Sequence, residues 1–460
     1  MELRTSGTAL QAEADMRALI AAILAAALVA ACAGETSSTS SSTSLATTTS
    51  TPTSTSSPTS TLSPEVAEYI ENFEFVWATI DEKFYDRDFR GLDWQAVHDR
   101  YLPQIVEAAD GEAVFWLLNS MLWELGVSHI GVVPPDNPEE LDPALTTRGE
   151  LGIDVRLLDD EWVITHVAPG SAAADAGLLP GFALVSVDGT DMDEIADSGP
   201  PMPPRHDRGV RSSKILAVEG SLSAEPGVET TLGYYDAEDV LAHVTLTFRE
   251  KTSKAQIDPN VPAFYPTIET SRLAGGLGYI RFDAFMPSLL DPLLQALDEM
   301  QDALGLIIDI RGNHGGVFDV RKGLVDRLVS SRELIWRYRG NWSEDVFATP
   351  AEVTYGGPVV ILVDVVSASS AEEFSGALQA IDRAVVIGER TAGRVLVAEF
   401  AELPSGALMI YPVVESSLAD GTVLEGHGVI PDIAVATTRE DLLAGVDAPL
   451  KTAIDHILNG

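Results

Sequence analysis

Two serines, Ser369 and Ser370, stand where an apolar run gives way to a periodic segment. Residues 357–363 read as a buried strand and residues 372–381 as a helix. A tight strand-to-helix turn lifts a hydroxyl clear of the backbone. The first N–H groups of the helix lack intrahelical acceptors and aim at the same point. A serine that attacks a carbonyl, and the oxyanion that the attack creates, both need that geometry. A plainer description also fits, because Ser369-x-x-Glu372 and Ser370-x-x-Glu373 each match a capping box, which only starts a helix. The difference between the two descriptions is whether the chain supplies a base, an orienter for that base and oxyanion donors.

A candidate base lies far upstream. Ser128-His129, within Gly126-Val127-Ser128-His129-Ile130-Gly131, is the only Ser-His pair in the sequence. Imidazole titrates near neutrality, as a general base should. After the apolar run 306–310, Gly315 and Gly316 would let a backbone N–H approach a reacting carbonyl closely, though the pair serves equally well as a simple turn. Ser370 offers a second N–H. The other histidines carry plainer readings: His427 as an exposed loop residue, and His314 at the pocket wall or on the surface. His98, His166, His206, His243 and His456 show no pairing pattern. There is no His-Glu-x-x-His and only one cysteine, so neither a metal nor a cofactor is expected.

The surrounding chain must position these groups. Its 460 residues, 45% hydrophobic and 22% charged, suffice for two or three domains. Lys and Arg number 29 against 70 Asp and Glu, a net charge of −41. That excludes nucleic-acid binding through phosphates, which needs clustered cations. The acidity reads as solubility or as a preference for basic peptides. Residues 18–31 are an unbroken apolar run behind Arg17, shorter than the ~20 residues that span a bilayer. The run ends Leu28-Val29-Ala30-Ala31-Cys32, which resembles the lipobox of bacterial lipoproteins. The resemblance implies lipidation of Cys32 and attachment to the membrane; a plain secretory signal is the alternative, and both lie outside the cytoplasm. Met16 gives a more usual signal length than Met1. Residues 33–64, rich in Ser and Thr, form an expected disordered tether.

Helical spacing of Val66, Tyr69, Ile70, Phe73 and Val76 opens a region, 65–147, expected to fold as helices and to carry Ser128 and His129. From 148 to 250 the pattern changes to short strands. Its series Pro169-Gly170-Ser171-Ala172-Ala173, Ala176-Gly177-Leu178, Pro180-Gly181 and Leu184-Val185-Ser186-Val187-Asp188-Gly189 resembles a PDZ domain of the bacterial protease type. That resemblance implies a carboxylate-binding loop at Leu151, Gly152 and Ile153, where an extended peptide adds to a sheet edge. A PDZ-like spacer that binds nothing is the alternative. The proline-rich stretch 199–204 marks an insertion loop. In 251–460 strands alternate with helices, which implies a mainly parallel core with its site at the strand ends.

Four motifs then occur in order: Asp309-x-Arg311-x-Asn313-x-Gly315-Gly316, Ser367-Ala368-Ser369-x-x-Glu372, Gly388-Glu389-x-Thr391-x-Gly393, and Glu425-Gly426-x-Gly428-Val429-x-Pro431-Asp432-Ile433. Together with the PDZ-like insertion they are similar to the superfamily of tail-specific (C-terminal processing) and tricorn-core serine peptidases. The resemblance implies a multidomain α/β protein. Its parts would be an N-terminal helical subdomain, a PDZ-like β-rich domain and a ClpP/crotonase-like α/β catalytic core. Two catalytic schemes exist there. The processing branch uses a Ser-Lys dyad, with lysine shortly after the Gly-x-x-Thr-x-Gly motif and glutamine four residues on. Here those positions hold Arg394 and Ala398, and arginine stays protonated at any useful pH. The tricorn-like branch takes a histidine from a Ser-His pair and a glutamate from the last motif, and both are present. The resemblance therefore implies Ser369 as nucleophile and His129 as base. Glu425 and Ser128 would orient the imidazole, and Gly315 or Gly316 with Ser370 would donate to the oxyanion.

The expectation is a membrane-tethered, extracytoplasmic serine endopeptidase acting on polypeptides, with recognition of a free C-terminus by the PDZ-like domain as one route. A catalytically inactive peptide-binding lipoprotein is the alternative, and hydrolysis of a small ester or amide a third.

Overall fold

A computed structural model describes residues 62–135, 141–198, 207–259 and 261–459. Cys32, residues 33–61 of the expected tether and the proline-rich stretch 199–204 lie outside the described residues, and Pro64, placed at the end of the tether, instead begins a helix. The chain begins with three helices, α1 (Pro64–Lys83), α2 (Trp94–Val106) and α3 (Gly111–Trp123). Each is started by a side chain that accepts from a free first-turn N–H: Ser63 from Val66, Asp93 from Ala96, and Asp110 from Ala113. Tyr69, Phe73, Val76 and Ile80 form one buried stripe along α1, as their helical spacing requires. Beyond α3 the backbone runs through Ser128 and His129 into a short strand, β1 (Gly131–Val133), which pairs antiparallel with a long strand near the end of the chain. Buried Val127 and Ile130 flank the Ser-His pair and pin it between helix and strand.

Residues 153–247 form a sheet of β2 (Ile153–Leu158), β3 (Glu161–Val167), β4 (Ala183–Val187), β5 (Glu229–Tyr235) and β6 (Leu241–Thr247), paired in that order, with Thr190–Asp191 added to β4. A helix, α4 (Asp207–Ser221), packs along the edge strand β2. At the neck of this insertion Gly149–Glu150 pairs antiparallel with Arg249–Glu250.

The rest is built on a six-stranded sheet ordered β7 (Ile268–Leu273), β8 (Leu277–Phe282), β9 (Leu306–Asp309), β10 (Val359–Val363), β11 (Val385–Gly388) and β12 (Ile433–Ala434). All neighbours in it are parallel except β7 and β8. This is the mainly parallel core that alternating strands and helices predicted. Its central strands are buried on both faces. Helix α5 (Ser370–Ala380) follows β10 across the turn that carries Ser369. A second, antiparallel sheet was not foreseen. Its strand β13 (Leu408–Leu418) pairs with β1, with Glu333–Gly340 and with Leu396–Glu402. It joins the N-terminal helices to the parallel sheet in one continuous apolar core. It combines two local hairpins with β1 from far upstream, and no local periodicity announces that long-range pairing.

Candidate active site

The C-terminal ends of β9 and β10 carry the two loops of the site, as expected for a parallel sheet. After β10, Asp364 turns the chain: its carboxylate accepts from the amides of Gly312, Val366 and Ser367 at 3.0–3.1 Å. The Ser367 hydroxyl donates to the Ile310 carbonyl at 2.8 Å, tying this turn to the strand next door. Ser369 follows at φ 56, ψ −118, a backbone conformation sparsely populated by residues with a side chain. Its N–H donates to the Arg394 carbonyl (2.8 Å), and its own carbonyl accepts from Glu372 and Glu373 at the start of α5.

The Ser369 hydroxyl lies 3.3 Å from His129 Nε2. On the far side of the ring, Nδ1 is 2.8 Å from the Ser128 hydroxyl, which donates to Glu425 Oε2 at 2.8 Å. The Ser128 amide donates to Glu425 Oε1 and the Val395 amide to Oε2, both at 2.8 Å. This arrangement selects the tautomer. Because the Ser128 proton goes to the carboxylate, its oxygen accepts from Nδ1–H, and Nε2 is left as a bare acceptor facing the Ser369 hydroxyl. Burial pulls the pKa of His129 down to about 4; the Glu425 charge opposes that shift and the Arg394 charge adds to it. The imidazole is therefore neutral at pH 7.

Opposite the serine, Asn313 is fully buried; its amide group donates to the Phe282 carbonyl and accepts from the Gly315 N–H at 2.9 Å each. Gly315 has φ +101, and a Cβ there would lie 2.6 Å from Ser369 Cβ. A Cβ on Gly316, at φ +139, would lie 2.3 Å from the Phe285 carbonyl oxygen. Both positions thus demand glycine. The Gly315 amide is engaged by Asn313, whereas the amides of Gly316 and Ser370 meet no acceptor among the described residues. The Ser370 hydroxyl donates to the Gly316 carbonyl at 2.7 Å and accepts from Arg321 at 2.7 Å, so the two residues with unengaged amides are tied together.

The sequence-predicted residues Ser128, His129, Gly315, Gly316, Ser369, Ser370 and Glu425 all line one cleft of about 2290 Å³. Leu151, Gly152 and Ile153 do not. They line a separate cavity of about 130 Å³ between the insertion and the core. His427 is exposed, as its plain reading had it. His314 is not on the surface: its ring bridges Asp142 (2.8 Å) and Glu219 (3.1 Å), directly before the glycine pair. Burial works against its charge, but the two carboxylates outweigh burial and hold the imidazole well above its ordinary range.

One residue does more than the sequence suggested. Glu372 caps α5 as its spacing predicted, yet it is fully buried and accepts from four donors. These are the Ser369 and Arg394 amides on Oε2, and the Gly393 amide and Thr391 hydroxyl on Oε1. Burial pushes its pKa up to about 7 against those donors. The signal was in the sequence, since Thr391 and Gly393 belong to the third motif; the partner that the motif serves was not.

Residues 276–435 match peptidase family S41, and residues 65–123 match the tricorn protease C1 domain. The carboxyl-terminal-processing protease of Synechocystis sp. is 23% identical over 399 residues, covering 84% of this chain and 86% of that one. Tricorn protease homolog 1 of Streptomyces coelicolor is 26% identical over 407 residues, covering 86% of this chain and 35% of that one. The fold is similar to that of a photosystem II D1 C-terminal processing protease (TM-score 0.54, 23% identity, 83% of this chain and 98% of the other). It is also similar to that of mature CPAF (TM-score 0.59, 14% identity, 86% and 99%). The core of the chain is thus similar to peptidase family S41, its length is shared with processing proteases, and the chain is a serine peptidase.

Proposed function

We propose that the chain is an endopeptidase that cleaves polypeptides through Ser369, with His129 as general base. The observation that carries this reading is the unbroken hydrogen-bond chain from Ser369 through His129 and Ser128 to Glu425. In it Ser369 Oγ attacks the scissile carbonyl as its proton passes to His129 Nε2. The imidazolium that forms is stabilised by Glu425 acting through the Ser128 hydroxyl. The Gly316 and Ser370 amides receive the oxyanion. His129 then protonates the departing amine, leaving an acyl-enzyme that water hydrolyses by the same steps in reverse.

This relay follows the tricorn-like scheme rather than the Ser-Lys dyad of the processing branch. Identity to relatives of the two kinds is nearly equal, so the distinction rests on side chains. Arg394 holds the place of the dyad lysine and cannot give up its proton. The intact relay also disfavours the inactive alternative, and a cleft of this size with the apolar walls Val366, Leu396, Val397 and Phe400 suits a polypeptide.

Residues 65–147 are read as the helical subdomain that lends His129 to the site. Residues 251–460 are read as a ClpP/crotonase-like core, and residues 148–250 as a PDZ-like domain. The last reading is supported by β2, which is a sheet edge with α4 beside it and Leu151, Gly152 and Ile153 at its start. That is the place where a peptide would add as a strand and leave its carboxylate at a loop. Lipidation of Cys32 would tether the enzyme outside the cytoplasm.

Labelling by a fluorophosphonate probe tests the relay. Ser369 of wild type is expected to be phosphonylated, with fluoride leaving, while Ser369→Ala and His129→Ala stay unlabelled. The double variant His129→Ala/Arg394→Lys should also stay unlabelled. Labelling of His129→Ala at the wild-type rate would sink the histidine assignment.

A further inference from the structure

We propose that the Arg394 guanidinium is a recognition site for a substrate carboxylate beside the scissile bond, so that the enzyme selects peptides carrying an acidic group there. The proposal rests on the peptidase reading and adds a specificity to it. The backbone of Arg394 is fixed next to the nucleophile: its N–H donates to Glu372 and its carbonyl accepts from Ser369, both at 2.8 Å. Its side chain lines the cleft that holds Ser369 and His129, and its charge is felt by the His129 ring.

Among the described residues this guanidinium makes no ion pair and no hydrogen bond. Three carboxylates lie within electrostatic range, those of Glu372, Asp142 and Glu425. Each is already engaged: Glu372 by four donors, Glu425 by Ser128 and Val395, and Asp142 by His314. Other cations along the cleft are provided for. Arg321 pairs with Glu373 and Lys214 with Asp197, while Arg90 is exposed to solvent. Arg394 is half-buried, and burial works against its charge.

A guanidinium cannot relieve that cost by losing its proton, so it is stable only when water or a counter-charge reaches it. Its planar fork matches a carboxylate in a bidentate pair. In a peptidase cleft, the missing anion is one that the substrate brings. An Asp or Glu side chain near the cleaved bond and a free α-carboxylate on a short departing segment present the same group. This selection is local, since the chain as a whole carries −41 and would repel acidic peptides in general.

The test uses the full chain and matched peptides that differ only in charge: Glu against Gln at each position flanking the cleaved bond, and C-terminal acid against C-terminal amide. Wild type is expected to favour the carboxylate member of one pair type by about 10–100-fold in kcat/KM, expressed mainly in KM. Arg394→Ala should bring that ratio close to one, Arg394→Lys should keep part of it, and Arg394→Glu should turn the preference towards peptides with Lys at the same place. Loss confined to the Glu/Gln pairs identifies a side chain as the source, and loss confined to the acid/amide pairs identifies the terminus. Any change in the His129 pKa affects both members of a pair equally and cancels. An equal ratio in wild type and Arg394→Ala, with Ser369 still labelled, overturns the carboxylate site alone. Absence of cleavage and of Ser369 labelling in wild type overturns the peptidase reading and this inference with it.

Discussion

Ser369 keeps a positive φ that costs a non-glycine residue about 1–3 kcal/mol, because hydrogen bonds hold it from both sides. Its partner His129, also at positive φ (54°), has a ring fixed at both nitrogens. The Ser128 hydroxyl is the link through which Glu425 reaches that ring. Ser128→Ala should therefore leave the fold intact, since the Ser128 amide keeps its bond to Glu425, but lower kcat by about 10²–10⁴-fold. Steady-state kinetics with an unchanged melting temperature would bear this out, and an unchanged kcat would show that Glu425 does not act through the hydroxyl. The pH profile has a definite sign. The proposed base, His129, works only when neutral, and burial holds it neutral down to about pH 4. The acid limb of kcat/KM should thus fall through about pH 4 rather than through the ordinary imidazole value near 6.5. Glu425→Gln removes a charge that raises the His129 pKa, so the limb of its residual activity should move to still lower pH.

At the scale of elements, α5 and the loop 389–394 act as one piece because Glu372 binds both. Glu372→Gln keeps the shape of the cap but replaces one acceptor oxygen by a donor amide. Two of the four donors then lose their acceptor inside the protein, at about 1–3 kcal/mol each. Thermal unfolding should register the loss, and Ser369 labelling should slow because the serine amide is one of the four. Retention of both melting temperature and labelling would mean that Glu372 is only a helix cap. The capping box itself was legible in the sequence, as were the first three helices, the parallel core and the residues of the relay. The helices and the core follow from local spacing, whereas the relay residues were implied by the resemblance of four motifs to a known superfamily. What stayed hidden shares one physical cause, namely partners brought together by the tertiary fold. Glu372 meets Thr391 and Gly393 about twenty residues away, β1 pairs with β13 from the other end of the chain, and His314 finds its carboxylates in two other segments.

Across the whole molecule, the insertion is built into the active site and is not merely attached to it. Val365 and Val366, in the turn that leads to Ser369, are 2% and 1% exposed and pack in the apolar core of the insertion sheet with Val155, Ile215 and Val218. Beside them Arg156 of β2 donates to Asp364 at 2.8 Å and to Glu219 of α4 at 2.8 Å, with all three side chains largely buried. Burial opposes the charge of Asp364, but Arg156 and the loop amides hold its carboxyl below the usual carboxylate range. Arg156→Met fills a similar volume while leaving Asp364 buried without its cation, Glu219 keeping only His314, which should cost about 3–5 kcal/mol. The same change loosens the Asp364 turn, and with it Val366, Ser367 and the approach to Ser369. The expected result is a lower melting temperature together with slower fluorophosphonate labelling, although Arg156 lines neither the relay nor the oxyanion site. Labelling at the wild-type rate, measured below the melting transition of the variant, would show instead that the insertion stabilises the chain without shaping the nucleophile.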